Sequence, residues 1–192
     1  MNTLHPPIQL ADEADNAWRG GNMSEAQEHG YWHRAARVML HDPYDELYLL
    51  QRVPENPYYD GGLWNVTASG HVDEGETYED AAARELFEEM GIDGLKLEEY
   101  DRYKSDQTLG ERRFRRHNVT YMARVAMKHV RVRPNPDEVA GVLWVPQQQL
   151  LEMAAQTPPV LTEGLIAFAQ KVAADKKRVD DAIDVNTRLR DS

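Results

Sequence analysis

The segment 70–92, GHVDEGETYEDAAARELFEEMGI, constrains the fold most, because its signals predict one helix with defined ends. Thr77 followed by Asp80 resembles a capping box, in which side chains satisfy free N–H groups of the first turn. Gly91 is typical of the residue that follows a helix and ends it. The sequence therefore predicts a helix over residues 78–90.

The apolar residues of this helix recur at the spacing of one buried stripe, namely Ala83, Leu86, Phe87 and Met90. We expect Glu85, Glu88 and Glu89 to face outward together on the opposite side. Like charges at this spacing repel by a few tenths of a kcal/mol per pair, and a hard cation such as Mg²⁺ would offset the repulsion. The alternative is a solvated face on which Arg84 pairs with one of the acids.

The spacing of the specified residues across this segment resembles the complete signature of the Nudix hydrolase family. The matching positions are Gly70, Glu76, Arg84, Glu85, Leu86, Phe87, Glu88, Glu89, Met90, Gly91 and Ile92. The resemblance implies the Nudix fold of the α/β (α+β) class, an α/β/α sandwich with a mixed β-sheet. It also implies hydrolysis of a nucleoside diphosphate linked to another moiety, or of a related organic diphosphate, by water attack on phosphorus.

The same resemblance implies a role for each polar position of the signature. Glu85, Glu88 and Glu89 would bind Mg²⁺ (or Mn²⁺), and Gly70 would add its backbone carbonyl to the metal site. Arg84 would hold a neighbouring carboxylate in place. Such an ion neutralises diphosphate oxygens and lowers the pKa of a bound water. Glu76 is expected to orient the loop and not to contact the metal.

The signature leaves the general base open. A helix glutamate orients the attacking water in some relatives, and an acid from a separate loop completes the site in others. Glu138 is the loop candidate, because it lies just before a predicted strand at 139–145, and Glu111 is a weaker one. The alternative for Glu138 is an exposed loop acid beside Asp137, since a base is judged by its geometry first.

Basic and aromatic residues outside the helix are candidates for substrate binding. The cations are Arg52 at a strand end and the patch around Arg113 and Arg115, which also includes Arg112 and Arg116. Trp64, Tyr58 and Tyr59 are candidates for stacking on a nucleobase. The alternatives are that the arginines pair with acids of this surface and that the aromatic residues pack in the core.

A second resemblance, to the isopentenyl-diphosphate isomerase branch of the same superfamily, rests on His33 and on the run WNVTASGH at 64–71. In that branch the residue matching Ser69 is the essential cysteine, and histidines matching His33 and His71 help to bind metal. An isomerase glutamate falls near Arg116. The missing thiol and acid argue against isomerisation, and the two histidines remain either extra ligands or a hydrogen-bonded pair.

The remaining sequence predicts one domain with flanking segments. Residues 1–33 are interpreted as an N-terminal extension packed on the core, 34–175 as the Nudix hydrolase domain and 176–192 as a polar C-terminal tail. Strands are expected at 8–10, 17–19, 34–41, 47–53, 63–69, 97–104, 114–125, 128–133 and 139–145. Further helices are expected at 23–29, 146–155 and 161–174.

Composition limits the partners. A formal net charge of -11 argues against nucleic acid and anionic membrane, and also against an RNA-cap substrate. The absence of cysteine excludes disulfides and a thiol nucleophile, and the absence of a leader or a long apolar run predicts a cytoplasmic protein. We expect a small-molecule diphosphate as substrate and, since the family often dimerises, a homodimer. The alternative to an enzyme is a noncatalytic Nudix module that senses a nucleotide ligand.

Overall fold

A computed structural model describes residues 6–55 and 60–190 of the 192-residue chain. This part of the chain forms one mixed sheet with helices on both faces. The strands are β1 (Ile8–Ala11), β2 (Ala17–Gly21), β3 (Trp32–Asp42), β4 (Leu47–Arg52), β5 (Trp64–Asn65), β6 (Ala68–His71), β7 (Glu98–Leu109), β8 (Arg112–Arg124) and β9 (Gly141–Pro146). The α-helices are α1 (Met23–His29), α2 (Tyr78–Met90), α3 (Gln147–Ala154) and α4 (Glu163–Arg190), and a 3₁₀ helix covers Met127–His129.

The long strand β3 is the centre of the sheet. It pairs in parallel with β8 along one edge, and β8 pairs antiparallel with β7. Along its other edge β3 pairs antiparallel with β1, then β6, then β4. The short β6 runs beside the middle of β3, with Arg37 opposite Ser69 and Ala36 opposite Gly70. Residues opposite each other in an antiparallel pair share one face of the sheet, so Arg37 and Ser69 lie on one side and Gly70 on the other.

Each face of the sheet carries its own hydrophobic core. The core on one face joins α2 to alternate residues of β3, among them Ala36, Val38 and Leu40. The core on the other face joins α3 and α4 to Met39, Tyr48 and Leu50. This arrangement confirms the predicted α/β/α sandwich with a mixed sheet.

The predicted limits of α2 are confirmed. The Thr77 hydroxyl accepts a hydrogen bond from the Asp80 N–H (3.1 Å) and donates one to the Asp80 carboxylate (2.7 Å). Gly91 ends the helix with φ of 65°, in the left-handed region that glycine adopts without a steric penalty.

The predicted buried stripe of α2 is confirmed at Leu86 and Met90 and is wrong at Ala83 and Phe87, which are exposed. The buried face begins at Tyr78 and continues at i+3, i+4, i+7, i+8, i+11 and i+12. The small residues Ala81 and Ala82 on this face allow α2 to lie close to the sheet. The same face includes Glu85 and Glu89, which were expected to point outward.

Several other elements differ from the prediction. The polar segment 105–109 extends β7, because it pairs with β8 in a long hairpin. The strand expected at 63–69 is split into β5 and β6, which pair with different strands. Residues 128–133 do not form a strand, since the 3₁₀ helix and irregular backbone replace it. The tail expected from residue 176 continues α4 as far as Arg190.

The N-terminal segment is part of the same sheet. β1 pairs with β3, and the Gln9 N–H donates to the Val72 carbonyl oxygen (2.7 Å), just before the loop that leads into α2. Tyr58 and Tyr59 lie outside the described residues. Among the described helices, none combines the length and apolar character needed to span a membrane.

Candidate active site

Glu89 is the most buried acid of α2, with 8% of its surface exposed. Its Oε2 accepts hydrogen bonds from the Ser69 N–H and from the Gln51 side-chain amide, both at 2.9 Å. Burial raises the pKa of Glu89 to about 8, and the nearby charges of Glu85 and Glu138 contribute to the rise. The ionised form of this carboxylate is therefore poorly compensated by the protein alone.

Glu85 lies one turn earlier, against the backbone of Gly70. A Cβ atom at position 70 would overlap the Glu85 carboxylate, so glycine is required for this close approach. Burial raises the pKa of Glu85, and the hydrogen bond from Arg84 opposes the rise. The Glu85 carboxylate is consequently held against the backbone of Gly70.

Arg84 connects the acids to the loop before α2. Its Nη1 donates to Glu85 (2.7 Å) and to the exposed Glu88 (3.1 Å). Its other nitrogens donate to both carboxylate oxygens of Glu76 (3.0 Å each) and to the His71 carbonyl oxygen (2.9 Å). These bonds, those to Glu76 first, raise the pKa of Arg84 above its usual range. The guanidinium is thus committed to holding the site together.

The donor set at this end of α2 fits a hard divalent cation in chemical type. Glu85, Glu88, Glu89 and the Gly70 carbonyl offer oxygen ligands only, as Mg²⁺ and Mn²⁺ prefer. Two of the carboxylates carry raised pKa values that an added cation would lower. With Arg84 bound to Glu85 and Glu88, the described residues hold no group of three acids or histidines in a metal-binding arrangement.

The loop before β9 brings Glu138 near this cluster. The Asn135 N–H donates to the Glu89 carbonyl oxygen (2.9 Å), which fixes the loop to the end of α2. The Asn135 side chain donates to the Glu138 carboxylate (3.1 Å), and the Glu138 charge raises the pKa of both Glu85 and Glu89. Glu111 lies instead in the turn between β7 and β8.

The four residues predicted to bind substrate are not brought together. Arg52 donates to the Gly62 carbonyl oxygen (3.1 Å) and lies 3.6 Å from the Glu55 carboxylate. Trp64 packs against the core beside α4. Arg113 and Arg115 both pair with Asp106, at 2.7 and 3.2 Å. For the two β8 arginines, the structure matches the alternative of pairing with surface acids.

A cleft of about 1000 Å³ opens on the face of the sheet that carries α4. Ser69, Gly70 and His71 of β6 line it, and the Ser69 N–H also donates to Glu89 of α2. Arg37 and Arg116 also line it, together with Thr162 and Gly164 at the start of α4. The sequence analysis did not select Arg37 as a candidate site residue. A charged residue inside a mostly buried strand was the signal that could have indicated it.

His33 and His71 lie beside this cleft with ring centroids 5.3 Å apart. Burial is the main reason that the pKa of His33 is lowered to about 3 and that of His71 to about 4, and the Arg116 charge contributes to both. Within the described part of the chain, neither ring nitrogen of His33 has a hydrogen-bond partner. The two rings are therefore neutral neighbours of a cation and do not form the hydrogen-bonded pair that was one alternative.

Comparison with known proteins shows the family and the fold of this chain. The family model described as NUDIX domain matches residues 31–164. An isopentenyl-diphosphate Delta-isomerase of Dinoroseobacter shibae is 32% identical over 151 residues, 79% of this chain and 85% of that protein. Among solved structures, DR0079 from Deinococcus radiodurans has a TM-score of 0.67 at 19% identity, over 85% of this chain and 97% of its own. An Ap4A hydrolase from C. elegans has a TM-score of 0.54 at 19% identity, over 75% and 97%.

Proposed function

The chain belongs to the NUDIX domain family, and we propose that it is a metal-dependent hydrolase of organic diphosphates. The proposed substrate is a nucleoside diphosphate linked to another moiety, or a related diphosphate, and the proposed reaction is water attack on phosphorus. The observation that carries this proposal is the pair of buried carboxylates, Glu85 and Glu89, held against β6 next to Gly70. Buried acids with raised pKa values are typical of functional sites.

Each residue of the site has a separate role in the proposed reaction. Bound to Glu85, Glu88, Glu89 and the Gly70 carbonyl, Mg²⁺ or Mn²⁺ would neutralise diphosphate oxygens and lower the pKa of a water molecule. Arg84 keeps Glu85 in place through its bonds to Glu76 and the His71 carbonyl. Glu138 is the proposed base that takes the proton of the attacking water, since its loop is fixed to the end of α2.

Isomerisation is the second candidate, because a relative of 32% identity is named an isopentenyl-diphosphate Delta-isomerase. Ser69 stands where that branch needs a thiol, and a serine hydroxyl is a far weaker acid. In addition, the charge of Arg116 acts directly on His33 and His71 and disfavours a further cation between them. Both features favour hydrolysis.

The test is a panel of diphosphate substrates with Mg²⁺ or Mn²⁺ in ¹⁸O-labelled water, read by mass spectrometry. Hydrolysis predicts one ¹⁸O atom in a phosphate-containing product, and loss of turnover in EDTA and in Glu89→Gln. The panel includes isopentenyl diphosphate, whose conversion to a double-bond isomer without label would support the isomerase. Saturable binding with no product across the whole panel would support the noncatalytic sensor instead.

A further inference from the structure

The cleft floor is a polar region on the face of the sheet that α4 otherwise covers. Side chains alternate along a strand, so β3 places Arg37 and Met39 on this face, and β8 places Arg116 and Met122 there. The two methionines belong to the core beneath α4. Because α4 begins at Glu163, the sheet beyond that point is uncovered, and the two arginines line the open part.

Arg37 of β3 and Arg116 of β8 differ in their partners from three other arginines of β8. Arg113, Arg115 and Arg124 each form an ion pair with an acid, at 2.6 to 3.2 Å. Arg37 has a neutral partner, because its Nε donates to the Asn118 side-chain oxygen at 3.3 Å. Within residues 6–55 and 60–190, neither Arg37 nor Arg116 has a carboxylate within ion-pair distance, and the buried Arg116 Nε has no hydrogen-bond partner.

The electrostatics leave the charge of Arg116 undercompensated. Burial lowers the pKa of Arg116, and the charge of Arg37 lowers it further. Asp60 and Glu163 act in the opposite direction from the cleft wall, without contact distances that would make them ion pairs. Placing a charge in a poorly solvated position without a partner is unfavourable, so an anion that enters here is strongly stabilised.

The start of α4 adds donors to the same place. Thr162 caps the helix by accepting from the Leu165 N–H (3.3 Å), and the first N–H groups of a helix have no partner within it. The Arg37 guanidinium lies so close to Gly164 that a Cβ atom there would overlap it. Arg37 is thus held at a helix N-terminus, where anions are favoured.

We propose that Arg37 and Arg116 bind a terminal phosphate of the substrate, and that the enzyme therefore prefers diphosphates with one unesterified end. Such an end carries more negative charge and more free oxygens than a diphosphate esterified on both sides, and planar guanidinium groups bind such oxygens in pairs. Ser69 and Gly70 line this cleft, the Ser69 N–H donates to Glu89, and the Glu85 carboxylate lies against Gly70, so the cleft borders the acids at which we propose hydrolysis. The substrate preference rests on that proposed function, whereas the anion site does not.

The first experiment measures binding of inorganic pyrophosphate in EDTA by isothermal titration calorimetry. Arg37→Gln and Arg116→Gln should each weaken binding on the order of 10- to 100-fold, as expected for the loss of charge-assisted hydrogen bonds. Arg124→Gln is the matched control. Arg124 lies on β8, as Arg116 does, but its guanidinium forms an ion pair with Glu98. Binding by both cleft variants at the wild-type affinity would overturn the proposal.

Gly164→Ala tests the geometry without removing a charge. The new methyl group must displace the Arg37 guanidinium, the flexible end of its side chain, so pyrophosphate binding should weaken while the thermal unfolding midpoint stays within a few degrees. Arg116→Gln should unfold no earlier than the wild type, because it removes an uncompensated charge. Earlier unfolding, with unchanged pyrophosphate affinity, would assign these residues a structural role and refute the site.

The second experiment compares kcat/KM for substrates with a free terminal phosphate and for substrates esterified at both ends. Arg116→Gln should lower kcat/KM about tenfold or more for the first group and leave the second nearly unchanged. An equal loss in both groups would refute the preference. Glu89→Gln separates the two proposals: it should abolish turnover and retain pyrophosphate binding in EDTA. The wild-type protein could also hydrolyse no substrate and yet bind pyrophosphate with an affinity that falls in Arg37→Gln. That result would uphold the anion site and reject the hydrolase.

Discussion

Glu89→Gln should make the metal-free protein more stable at alkaline pH while it abolishes turnover. Glu89 is almost fully buried, and its pKa is raised from 4.5 to about 8. The folded state therefore holds this proton more tightly than the unfolded chain does. The resulting stabilisation is fully present below pH 4.5 and is lost as the pH rises through 8.

The raised pKa sets the size of the effect. A change from 4.5 to about 8 corresponds to at most about 5 kcal/mol of unfolding free energy between the two ends of that pH range. Glutamine keeps an oxygen that can accept from the Ser69 N–H and from Gln51, and it has no charge to bury. The variant should therefore lose this part of the pH dependence and exceed the wild type in stability at pH 9.

Urea unfolding followed by circular dichroism in EDTA, at pH 5 and pH 9, measures the difference. Groups that titrate in both proteins and do not interact with Glu89 cancel when the variant is compared with the wild type at each pH. Glu88→Gln is the control, because it removes an exposed acid of the same helix. Parallel pH dependence for the wild type and Glu89→Gln would refute the idea that burial of this carboxylate is uncompensated.

Two further substitutions test the neighbouring parts of the site. Gly70→Ala should displace the Glu85 carboxylate and lower kcat at least tenfold in Mg²⁺ assays. Gly141→Ala is the control, because no atoms lie within 4 Å of the added carbon, and it should leave kcat unchanged. Equal kcat values in the two variants would contradict the close approach of Glu85 to Gly70. Glu138→Gln should lower turnover by one to three orders of magnitude without changing the unfolding midpoint, and Asp137→Asn is its control; near wild-type turnover with every substrate would remove Glu138 from the mechanism.

The local signals in the sequence predicted α2 closely, because they act within the helix itself. Thr77 and Asp80 satisfy the first N–H groups, and Gly91 ends the helix, whatever lies around it. The face of the helix depends instead on what it packs against. The helix has two possible buried faces at helical spacing. The face that includes Ala81 and Ala82 packs against the sheet, because small residues let the helix lie close to it. Packing on this face also buries Glu85 and Glu89, and the spacing of apolar residues could not predict the burial of these acids.

The arginines that we propose to bind substrate were harder to predict, because their position depends on pairing between distant strands. Arg113 and Arg115 have the spacing of a basic patch, and the β7–β8 hairpin places Asp106 beside both. Arg37 and Arg116 come together only because β3 and β8 pair in parallel, with Arg37 opposite Thr120 and Arg116 opposite His33. The charge of Arg37 in a buried strand pattern was visible in the sequence, but its placement in one cleft with a residue 79 positions away was not.

The partners of each arginine indicate its task in this acidic protein. With a net charge of -11, an arginine on this chain readily finds a carboxylate, and such exposed pairs contribute little to stability. Arg84 is saturated with protein partners, so it can organise the acids but has few donors left for substrate. Arg37 and Arg116 have no carboxylate within ion-pair distance in the described structure, and both line the cleft. Binding a phosphate would supply the missing counter-charge in a cleft that is also lined by Ser69 and Gly70, next to the proposed metal ligands.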